Sequence, residues 1–427
     1  MSSLLDGYVV DVPYPTFVHR QMAPLWLSTI TQLNGFITPE IKKPFRYLEL
    51  GCGMGIHLHL MAAANPQGQF VGVDFNGEHL TVAHEGLRET KINNLEFIHS
   101  NFQNLLESNL EQFDFIVTHG VWSWITPEHQ QSIVKIINKL LKPQGILYCS
   151  YISHPGATHF SSIQKLMIEM ARNLKGDSST KAVQGIHLSR KIASANQGLF
   201  EKIPSLENDL AKLAQEKPAY IAHDFLSEHW KPQHSADMIR LFGKHKLSYI
   251  GGAGILENID SITLSPEIQK LVSSLPLNTL QETVKDIARN TMQRQDIYSK
   301  DRIRLNGSEQ LKIYKQIKFG LLPNVSIATN LKDDSKLSKI LDALPYFEQI
   351  LKIIKNNDSN IFELKNLLVP ILNYEQIRDL ILVLMWAGYI HPIQEQNSDY
   401  ENAMNKWMLS QGLDWKALAY YGTAVQI

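Results

Sequence analysis

The sequence has little of the features that mark several specialised classes of protein. Only two of its 427 residues are cysteines, Cys52 and Cys149. A disulfide-stabilised secreted scaffold is therefore not expected, and we expect a cytoplasmic location instead. The 41 lysines and arginines against 42 acidic residues leave a net charge of −1, which gives no electrostatic reason to expect a nucleic-acid partner. Residues 1–16 lack the pattern of a signal peptide, and no run of ~18 apolar residues predicts a membrane span.

What is present is an alternation of short apolar runs with helical patterns in the first third of the chain. The runs that predict strands cover residues 45–50, 69–73, 95–98, 113–118 and 146–152. Helical patterns cover residues 56–64 and 78–91, and a third begins at Pro127, after the capping Thr126, and ends at Pro143 and Gly145. This order predicts an α/β fold with a doubly wound, Rossmann-like parallel sheet.

A glycine-rich loop follows the first predicted strand. Gly51, Gly53 and Gly55 let the backbone approach a ligand closely, and the helix N-terminus after them presents free N–H groups. The dinucleotide fingerprint needs a glycine where this sequence has Ile56, so the ligand is not expected to be a dinucleotide. The alternative interpretation is an ordinary tight turn between a strand and a helix.

Carboxylates at the ends of the first two strands narrow the choice of ligand. Glu49 would repel a pyrophosphate but suits a cation, such as an amino-acid ammonium beside a sulfonium. Asp74 ends the second strand, where a carboxylate can accept both ribose hydroxyls, and Phe75 follows it. The pattern therefore predicts S-adenosylmethionine as the cofactor. Asn101 and Phe102, after the third strand, would hold its adenine, unless they form a routine loop.

The fourth predicted strand leads into a run rich in aromatic residues, which includes His119, Gly120, Trp122 and Trp124. Aromatic faces can hold a cationic or methylated amine. We predict that Trp122 and Trp124 contact the substrate, although the alternative is that Trp124 is core and only Trp122 faces the pocket. His119 is a candidate general base, or else supplies backbone contacts and orients the loop.

Three longer runs are similar to bacterial class I methyltransferases that carry a methyltransferase regulatory domain, a group to which rickettsial protein lysine methyltransferases are also similar. The runs are Glu49-Leu50-Gly51-Cys52-Gly53, Gly72-Val73-Asp74-Phe75-Asn76 and His119-Gly120-Val121-Trp122-Ser123-Trp124. The likeness covers roughly residues 7–320 and continues through Ala222-His223-Asp224-Phe225-Leu226 and Gln293-Arg294-Gln295-Asp296.

The resemblance implies roles for particular residues. Those implied to line the cofactor site are Tyr14, Glu49, Gly51, Gly53, Asp74, Asn101 and His119, and those implied near the acceptor are Trp122 and Tyr151. The sequence departs from the family at Ile152 and Ala157, where the family usually has asparagine and tryptophan, and its aromatic run is thinned to Pro15-Thr16-Phe17. These changes border the acceptor side, so the family's substrate does not transfer directly.

The function expected from these features is transfer of a methyl group to a protein lysine amine, with His119, Trp122 and Tyr151 as candidate catalytic residues. The alternatives are a small-molecule methyltransferase, a non-catalytic binding protein on the same fold and, less favoured, an RNA methyltransferase. His57 and His59 lie two residues apart on a predicted helix and make a poor metal pair, so no metal site is expected.

The rest of the chain predicts three further segments after a cofactor-binding core at residues 1–157. Residues 158–243 form a helical insertion that serves as a lid or in a homodimer, and residues 244–331 carry returning strands at 247–255 and 294–298. A polar linker at 332–338 begins a mostly helical domain at 332–427. This domain resembles a winged-helix-like unit, because a helical stripe at 377–385 precedes a short strand at 389–392. That domain is expected to bind no nucleic acid.

Overall fold

The structure is a computed structural model that describes residues 4–5, 7–276, 279–323, 361–363 and 373–426. The predicted linker at 332–338 lies outside the described residues. Among the helices that are described, none combines the length and the apolar character needed to cross a bilayer. Cys52 and Cys149 are both free thiols.

The centre of the fold is one sheet of seven strands. In chain order they are β1 (Phe45–Leu50), β2 (Gly68–Asp74), β3 (Leu95–His99), β4 (Phe113–Thr118), β5 (Leu141–Ile152), β6 (Leu247–Gly252) and β7 (Gln293–Lys300). Their order across the sheet is β3-β2-β1-β4-β5-β7-β6, and only β7 runs antiparallel to its neighbours. The predicted Rossmann-like sheet is confirmed. Successive strands are added on one side of β1 up to β3 and on its other side from β4 onward, and such sheets bind ligands at this switch point.

Helices cover both faces of the sheet. Those of the first half are Pro24–Leu33, Ile56–Ala64, Gly77–Thr90, Phe102–Leu105 and Pro127–Leu140. The caps explain several of their starts, since the Asn76 side chain accepts from the N–H groups of Glu78 and His79, and Thr126 accepts from that of His129. The helices at 56–64 and 77–90 lie within one residue of their predicted bounds, and the third begins at Pro127 as predicted but ends at Leu140. The helices at 24–33 and 102–105 are not predicted from the sequence.

Two apolar clusters follow from the alternation of side chains along the strands. Tyr47, Phe115 and Tyr148 face the helices at 24–33 and 56–64 and belong to the larger cluster. Leu48 and Cys149, one residue along, face the opposite side and belong to a cluster with the helix at 127–140. Glu49 therefore shares the face of Tyr47.

A helical segment follows β5 and has a core of its own. Its helices are Phe160–Arg172, Ser178–Ala193, Leu199–Lys202, Ser205–Leu213, Pro218–Phe225 and Ser235–Gly243. Met167, Ile186 and Leu210 are buried in this third cluster, which also takes in Val9 and Val12 from the N-terminal segment. The helical insertion is thus present, whereas its role as a lid or dimerisation element stays a prediction.

The remaining elements extend from β6 to the end of the described chain. Helices lie at Asp260–Thr263, Pro266–Ser274, Thr279–Arg289, Gly307–Gln316, Tyr374–Trp386 and Tyr400–Ser410, and short strands at Lys318–Leu321, Ile361–Glu363, Ile390–Pro392, Trp415–Leu418 and Thr423–Gln426. The last two strands pair as a hairpin. Trp407 packs on His59, with ring centroids 5.0 Å apart, so the C-terminal elements lie against the sheet's helices. The predicted domain boundaries stay predictions.

One strand differs from the sequence expectation. β5 begins at Leu141, five residues before the predicted start, although Pro143 and Gly145 lie within it. Its ladder with β4 skips from Leu141 to Ile146, because an irregularity between Phe113 and Phe115 leaves the proline segment unpaired. A proline is tolerated at such a position, since its missing N–H breaks no ladder bond.

Candidate active site

A cavity of about 560 Å³ opens beyond the carboxyl ends of β1, β2 and β4. Its volume lies within the range of small-molecule and cofactor pockets. The predicted site residues that line it are Tyr14, Glu49, Gly51, Gly53, Gly55, Asp74, Phe75, Asn101, Phe102, His119, Gly120 and Trp124. The structure therefore brings together residues that are more than a hundred positions apart in the sequence.

The glycine loop presents bare backbone to this cavity. Gly51, Gly53 and Gly55 have φ angles of 79°, 53° and 70°, a region that side chains with a Cβ rarely adopt. A Cβ added at Gly53 would meet no atom within 4 Å, which is the open space that a ligand can fill, whereas one at Gly51 would collide with Val121. The loop is thus shaped for close approach of a ligand at Gly53.

The Asp74 carboxylate fixes the position of the loop. One of its oxygens accepts a hydrogen bond from the Gly53 N–H at 2.8 Å, and the other accepts from the Asn76 N–H at 2.8 Å. Asn76 in turn caps the next helix. Two backbone N–H donors hold the carboxylate at the rim of the cavity, with lone pairs left for hydroxyl donors of a ligand.

Glu49 places a buried carboxyl group in the wall of the cavity. Its side chain is 6 % exposed, and Oε2 has no hydrogen-bond partner among the residues that the structure describes. Burial, with a contribution from Asp74, raises the pKa of Glu49 to about 8. A buried carboxylate in this state is costly unless a cation or a donor pairs with it. The orphaned oxygen fits a positively charged ligand beside the glycine loop.

Three imidazoles form another part of the wall. The rings of His19 and His119 stack with centroids 3.8 Å apart, and His57 lies close to the His19 backbone. The His119 Nδ1 shares a 2.7 Å hydrogen bond with the Tyr148 hydroxyl. Burial lowers the pKa of His19 to about 4 and of His57 to about 3, and that of His119 falls well below its ordinary value. All three are uncharged at neutral pH and leave the cavity without an added positive charge.

The predicted adenine residues lie at the rim. The Asn101 side chain caps the short helix at Phe102 by accepting from the Asn104 N–H at 2.8 Å. Phe102 packs edge-on to His129 with ring centroids 6.2 Å apart, and Phe75 lies 5.6 Å from Tyr8. These rings and the amide border one side of the cavity, but their contact with an adenine stays a prediction.

Another part of the cavity wall is aromatic and acidic. Tyr14 lies 5.1 Å from the His223 ring, which shares a 2.8 Å hydrogen bond with the Val12 carbonyl. The Trp124 indole N–H donates to the Asp224 carbonyl oxygen at 3.1 Å. Sequence reasoning placed neither Asp224 nor His223 in the site. Both are part of a helix that approaches the cavity only through the tertiary fold.

Two predicted site residues lie elsewhere. Trp122 is 1 % exposed and packs on Phe242, with ring centroids 5.5 Å apart, in the cluster behind the sheet. Tyr151 is fully buried, and its hydroxyl donates to Asp296 at 2.6 Å. Neither lines the cavity, which contradicts their expected contact with the acceptor. The alternative, in which Trp124 is core and Trp122 faces the pocket, is also wrong, because Trp124 lines the cavity and Trp122 is in the core.

Geometry explains both corrections. Trp122 and Trp124 stand in a single turn of 3-10 helix, Trp122–Trp124, where each residue rotates by about a third of a turn. The two indoles therefore point in different directions. On β5, successive side chains face opposite sides of the sheet, so Tyr148 faces His119 and Tyr151 faces away from it. Among the described residues no group of three or more histidine, cysteine or acidic side chains is arranged to hold a metal ion.

Comparison with known proteins agrees with this geometry. The family described as "Methyltransferase domain" matches residues 41–223, and the family described as "Predicted methyltransferase regulatory domain" matches residues 217–300. An uncharacterized protein of Rickettsia prowazekii, RP028, is 31% identical over 219 residues, which are 51% of this chain and 86% of that protein. The Synechocystis protein sll1526, also uncharacterized, is 27% identical over 97% of this chain and 83% of its own length.

Solved structures share the fold. PKMT2 from Rickettsia typhi superposes with a TM-score of 0.68 at 21% identity, over 92% of this chain and 82% of that chain. The same protein in complex with AdoHcy gives a TM-score of 0.68 at 22% identity, over 89% and 77% of the two chains. The two domain matches, the Rickettsia prowazekii relative and this fold lead to one assignment: the chain belongs to the S-adenosylmethionine-dependent methyltransferases that carry a methyltransferase regulatory domain.

Proposed function

We propose that this enzyme methylates the side-chain amine of a lysine in a protein. The observation that carries the proposal is the charge of the cavity. Among the described residues that line it, Glu49, Asp74 and Asp224 are acidic and none is lysine or arginine. A site with this balance favours cationic ligands over phosphates or carboxylates. Both the cofactor and a lysine amine carry positive charge.

Residues that line the cavity would hold the cofactor. Glu49 would face its positive charge, Asp74 would accept from its ribose hydroxyls, and the open space at Gly53 would let the cofactor lie close to the backbone. When bound, S-adenosylmethionine supplies an electrophilic methyl group, whose C–S bond breaks as the acceptor nitrogen forms the new N–C bond. The neutral imidazoles of His19 and His119 would shield this reaction from water without repelling either partner.

The acceptor would enter at the aromatic end. Trp124 and Tyr14 line the cavity there, and their ring faces can attract an ammonium or a methylated amine. Much of the rate would come from holding the nitrogen in line with the methyl group. The structural likeness to Rickettsia typhi PKMT2 and the sequence resemblance to rickettsial protein lysine methyltransferases support a protein acceptor.

A small amine is the second candidate. The N-terminal segment that includes Tyr8, Tyr14 and Phe17 lines the cavity and is tied down, since Gly7 accepts a hydrogen bond from the Glu228 N–H at 3.0 Å. A fixed segment in the cavity wall leaves less room for a bulky peptide and so favours a small substrate.

Methyl labelling separates the two candidates. The enzyme would be incubated with S-adenosylmethionine carrying an isotopic methyl group and a lysate of its source cells, and the products would be separated by size. We expect label in N-methyllysine after digestion of the protein fraction, detected by mass spectrometry. Label found solely in small metabolites would overturn the protein proposal and support the small amine.

The two tryptophans provide a test of the acceptor end. We expect Trp124→Leu to lower the rate of methyl transfer about tenfold, because it removes a ring face and the hydrogen bond to Asp224, with a small loss of stability. Trp122→Leu is the matched control: it should cost about 2–3 kcal/mol of unfolding free energy through lost packing. Its transfer rate, measured well below its melting temperature, should stay near that of the wild type. A slow but stable Trp122→Leu enzyme would contradict these placements.

A further inference from the structure

We propose that Asp224 forms an amine subsite, in which its carboxylate binds the ammonium group of the acceptor lysine and then takes its proton. The inference rests on the proposed lysine-methylating function and assigns the residue that prepares the acceptor. Neither the sequence pattern nor the comparisons give Asp224 a role. Its place in the cavity, its neighbours and its charge carry the assignment.

The fold holds Asp224 at the cavity wall. It lies in the last turn of the helix Pro218–Phe225 and is one of the residues that line the cavity. Its carbonyl oxygen accepts the Trp124 indole N–H, which ties this helix to the loop after β4. Tyr220, one turn earlier on the same helix, lies near enough to lower the pKa of the Asp224 carboxyl group. The Trp124 hydrogen bond holds the backbone from which that carboxylate projects.

Aromatic rings lie beside Asp224, since Tyr14 and Phe17 line the same cavity. Tyr14 and Phe17 lie 5.9 Å apart between centroids, Phe17 and Tyr220 lie 5.9 Å apart, and Tyr14 and Tyr220 lie 6.4 Å apart. The Asp224 charge also raises the pKa of Tyr14 above its ordinary value, after the larger effect of burial, so the two groups interact electrostatically. Aromatic rings together with one carboxylate suit an alkylammonium group.

Burial of Asp224 favours proton transfer near neutral pH. It raises the pKa of Asp224 to about 7; the nearby Tyr220 hydroxyl opposes this effect, and Glu216 adds to it. A carboxylate with a pKa near the working pH is suited to act as a base. Desolvation and enclosure lower the pKa of a lysine amine from its reference value of about 10.4. The N–H bond of the ammonium then breaks, its electron pair stays on nitrogen, and the proton moves to an Asp224 carboxylate oxygen.

Several of the other titratable groups of the cavity are poorer bases. His19, His57 and His119 have pKa values held far below neutral by burial, so they bind a proton weakly. Burial also lowers the pKa of His79 and His223, and the His223 Nε2 is occupied by its hydrogen bond with the Val12 carbonyl. Glu49 lies at the glycine loop, where we expect it to pair with the cofactor.

Binding of a small probe tests the subsite without a known acceptor. The full chain, saturated with S-adenosylhomocysteine, would be titrated at pH 8.5 with n-butylammonium and with its neutral analogue n-pentanol. The wild type should bind the ammonium at least tenfold more tightly, because the Asp224 carboxylate is ionised at that pH. Asp224→Asn should bind both probes about equally and keep its affinity for S-adenosylmethionine within threefold. Equal preference for the ammonium in the wild type and Asp224→Asn would overturn the proposal.

Kinetics test the proton transfer. Asp224→Asn should lower the maximal rate of lysine methylation about 100-fold, a usual contribution of a positioned base, and should remove the acid limb near pH 7 from its pH profile. Asp237→Asn, a substitution of an exposed aspartate paired with Arg240, is the matched control and should change neither. If the wild type labels lysine and Asp224→Asn does so at the same rate and with the same pH profile, the Asp224 assignment fails while the proposed function stands. If the wild type labels no lysine, the proposed function fails, and the butylammonium comparison still decides the subsite.

Discussion

Replacing Glu49 by glutamine is expected to weaken the binding of S-adenosylmethionine about 100-fold. The amide keeps the size of the side chain but removes the negative charge, and an interaction with a charged group is worth up to about 3 kcal/mol, which corresponds to this factor. The same substitution should stabilise the ligand-free protein at high pH, because Glu49 is buried and its Oε2 lacks a partner in the described structure. Weaker binding together with higher stability is a signature that a merely structural residue would not give.

The pH dependence of this effect follows from the pKa of Glu49. In the ligand-free protein burial raises that pKa to about 8, so the carboxyl group is largely protonated at pH 6.5. A bound cation favours the ionised form, so binding at pH 6.5 must release the proton, whereas binding at pH 9 releases none from this group. Affinity should therefore rise with pH until about 8. For the ligand-free protein the sign is opposite: stability is lost as pH rises through 8, and the glutamine variant should not lose it.

Titration calorimetry in two buffers of different ionisation enthalpy measures the affinity for the cofactor and the number of protons released on binding. At pH 6.5 the wild type should release close to one proton more per cofactor bound than Glu49→Gln does. Glu257→Gln is the matched control, because Glu257 also has a pKa raised by burial and an unpartnered Oε2 among the described residues, yet it does not line the cavity. Its affinity for S-adenosylmethionine should be unchanged. A similar loss of affinity in both variants would show that buried charge in general, and not Glu49, governs binding.

Replacing Arg294 by methionine is expected to cost about 3–5 kcal/mol of unfolding free energy, because a broken buried ion pair leaves charges without a partner. The Arg294 guanidinium is 2 % exposed and donates to Asp296 at 2.9 Å, Asp286 at 2.7 Å and Glu282 at 3.0 Å, and to the Tyr249 hydroxyl at 2.8 Å. Three carboxylates would then lose the one cation that they share among the described residues. The Gln293–Asp296 run, which contributes to the family resemblance, is thus explained by the folding of the sheet.

Urea denaturation followed by circular dichroism measures this cost. Arg240→Met is the control, since Arg240 pairs with Asp237 on the surface, where an ion pair is worth less than about 1 kcal/mol. We expect a large drop in the midpoint for Arg294→Met and almost none for Arg240→Met. A loss below about 1 kcal/mol for Arg294→Met would mean that the surrounding carboxylates are protonated or solvated in the folded state.

The sequence was sufficient for most of the sheet and for bringing the glycine loop and its two carboxylates to one cavity. Strands β1 and β4 have their predicted bounds, because each is a short apolar run with polar or glycine punctuation on both sides. The glycine loop and its two carboxylates are local features, so the spacing of Glu49, Gly53 and Asp74 along adjacent parallel strands placed them at one edge. Local patterns predict local geometry well.

The aromatic part of the cavity could not be predicted in the same way. Which of Trp122 and Trp124 faces the cavity depends on the rotation of one 3-10 turn, and the side of the sheet that Tyr151 faces depends on the register of β5. A change of one residue in either reverses the answer. Asp224 reaches the cavity on a helix a hundred residues beyond Trp124, and no periodicity in the sequence encodes that contact.

A crystal structure of the full chain grown with S-adenosylmethionine would show whether Glu49 and Asp74 bind the cofactor. We expect density for the cofactor over Gly53, with the Glu49 carboxylate facing its positive charge and the Asp74 carboxylate within hydrogen-bond distance of its ribose hydroxyls. Density for the cofactor at another place, or a filled cavity in which both carboxylates turn away from the ligand, would contradict this expectation.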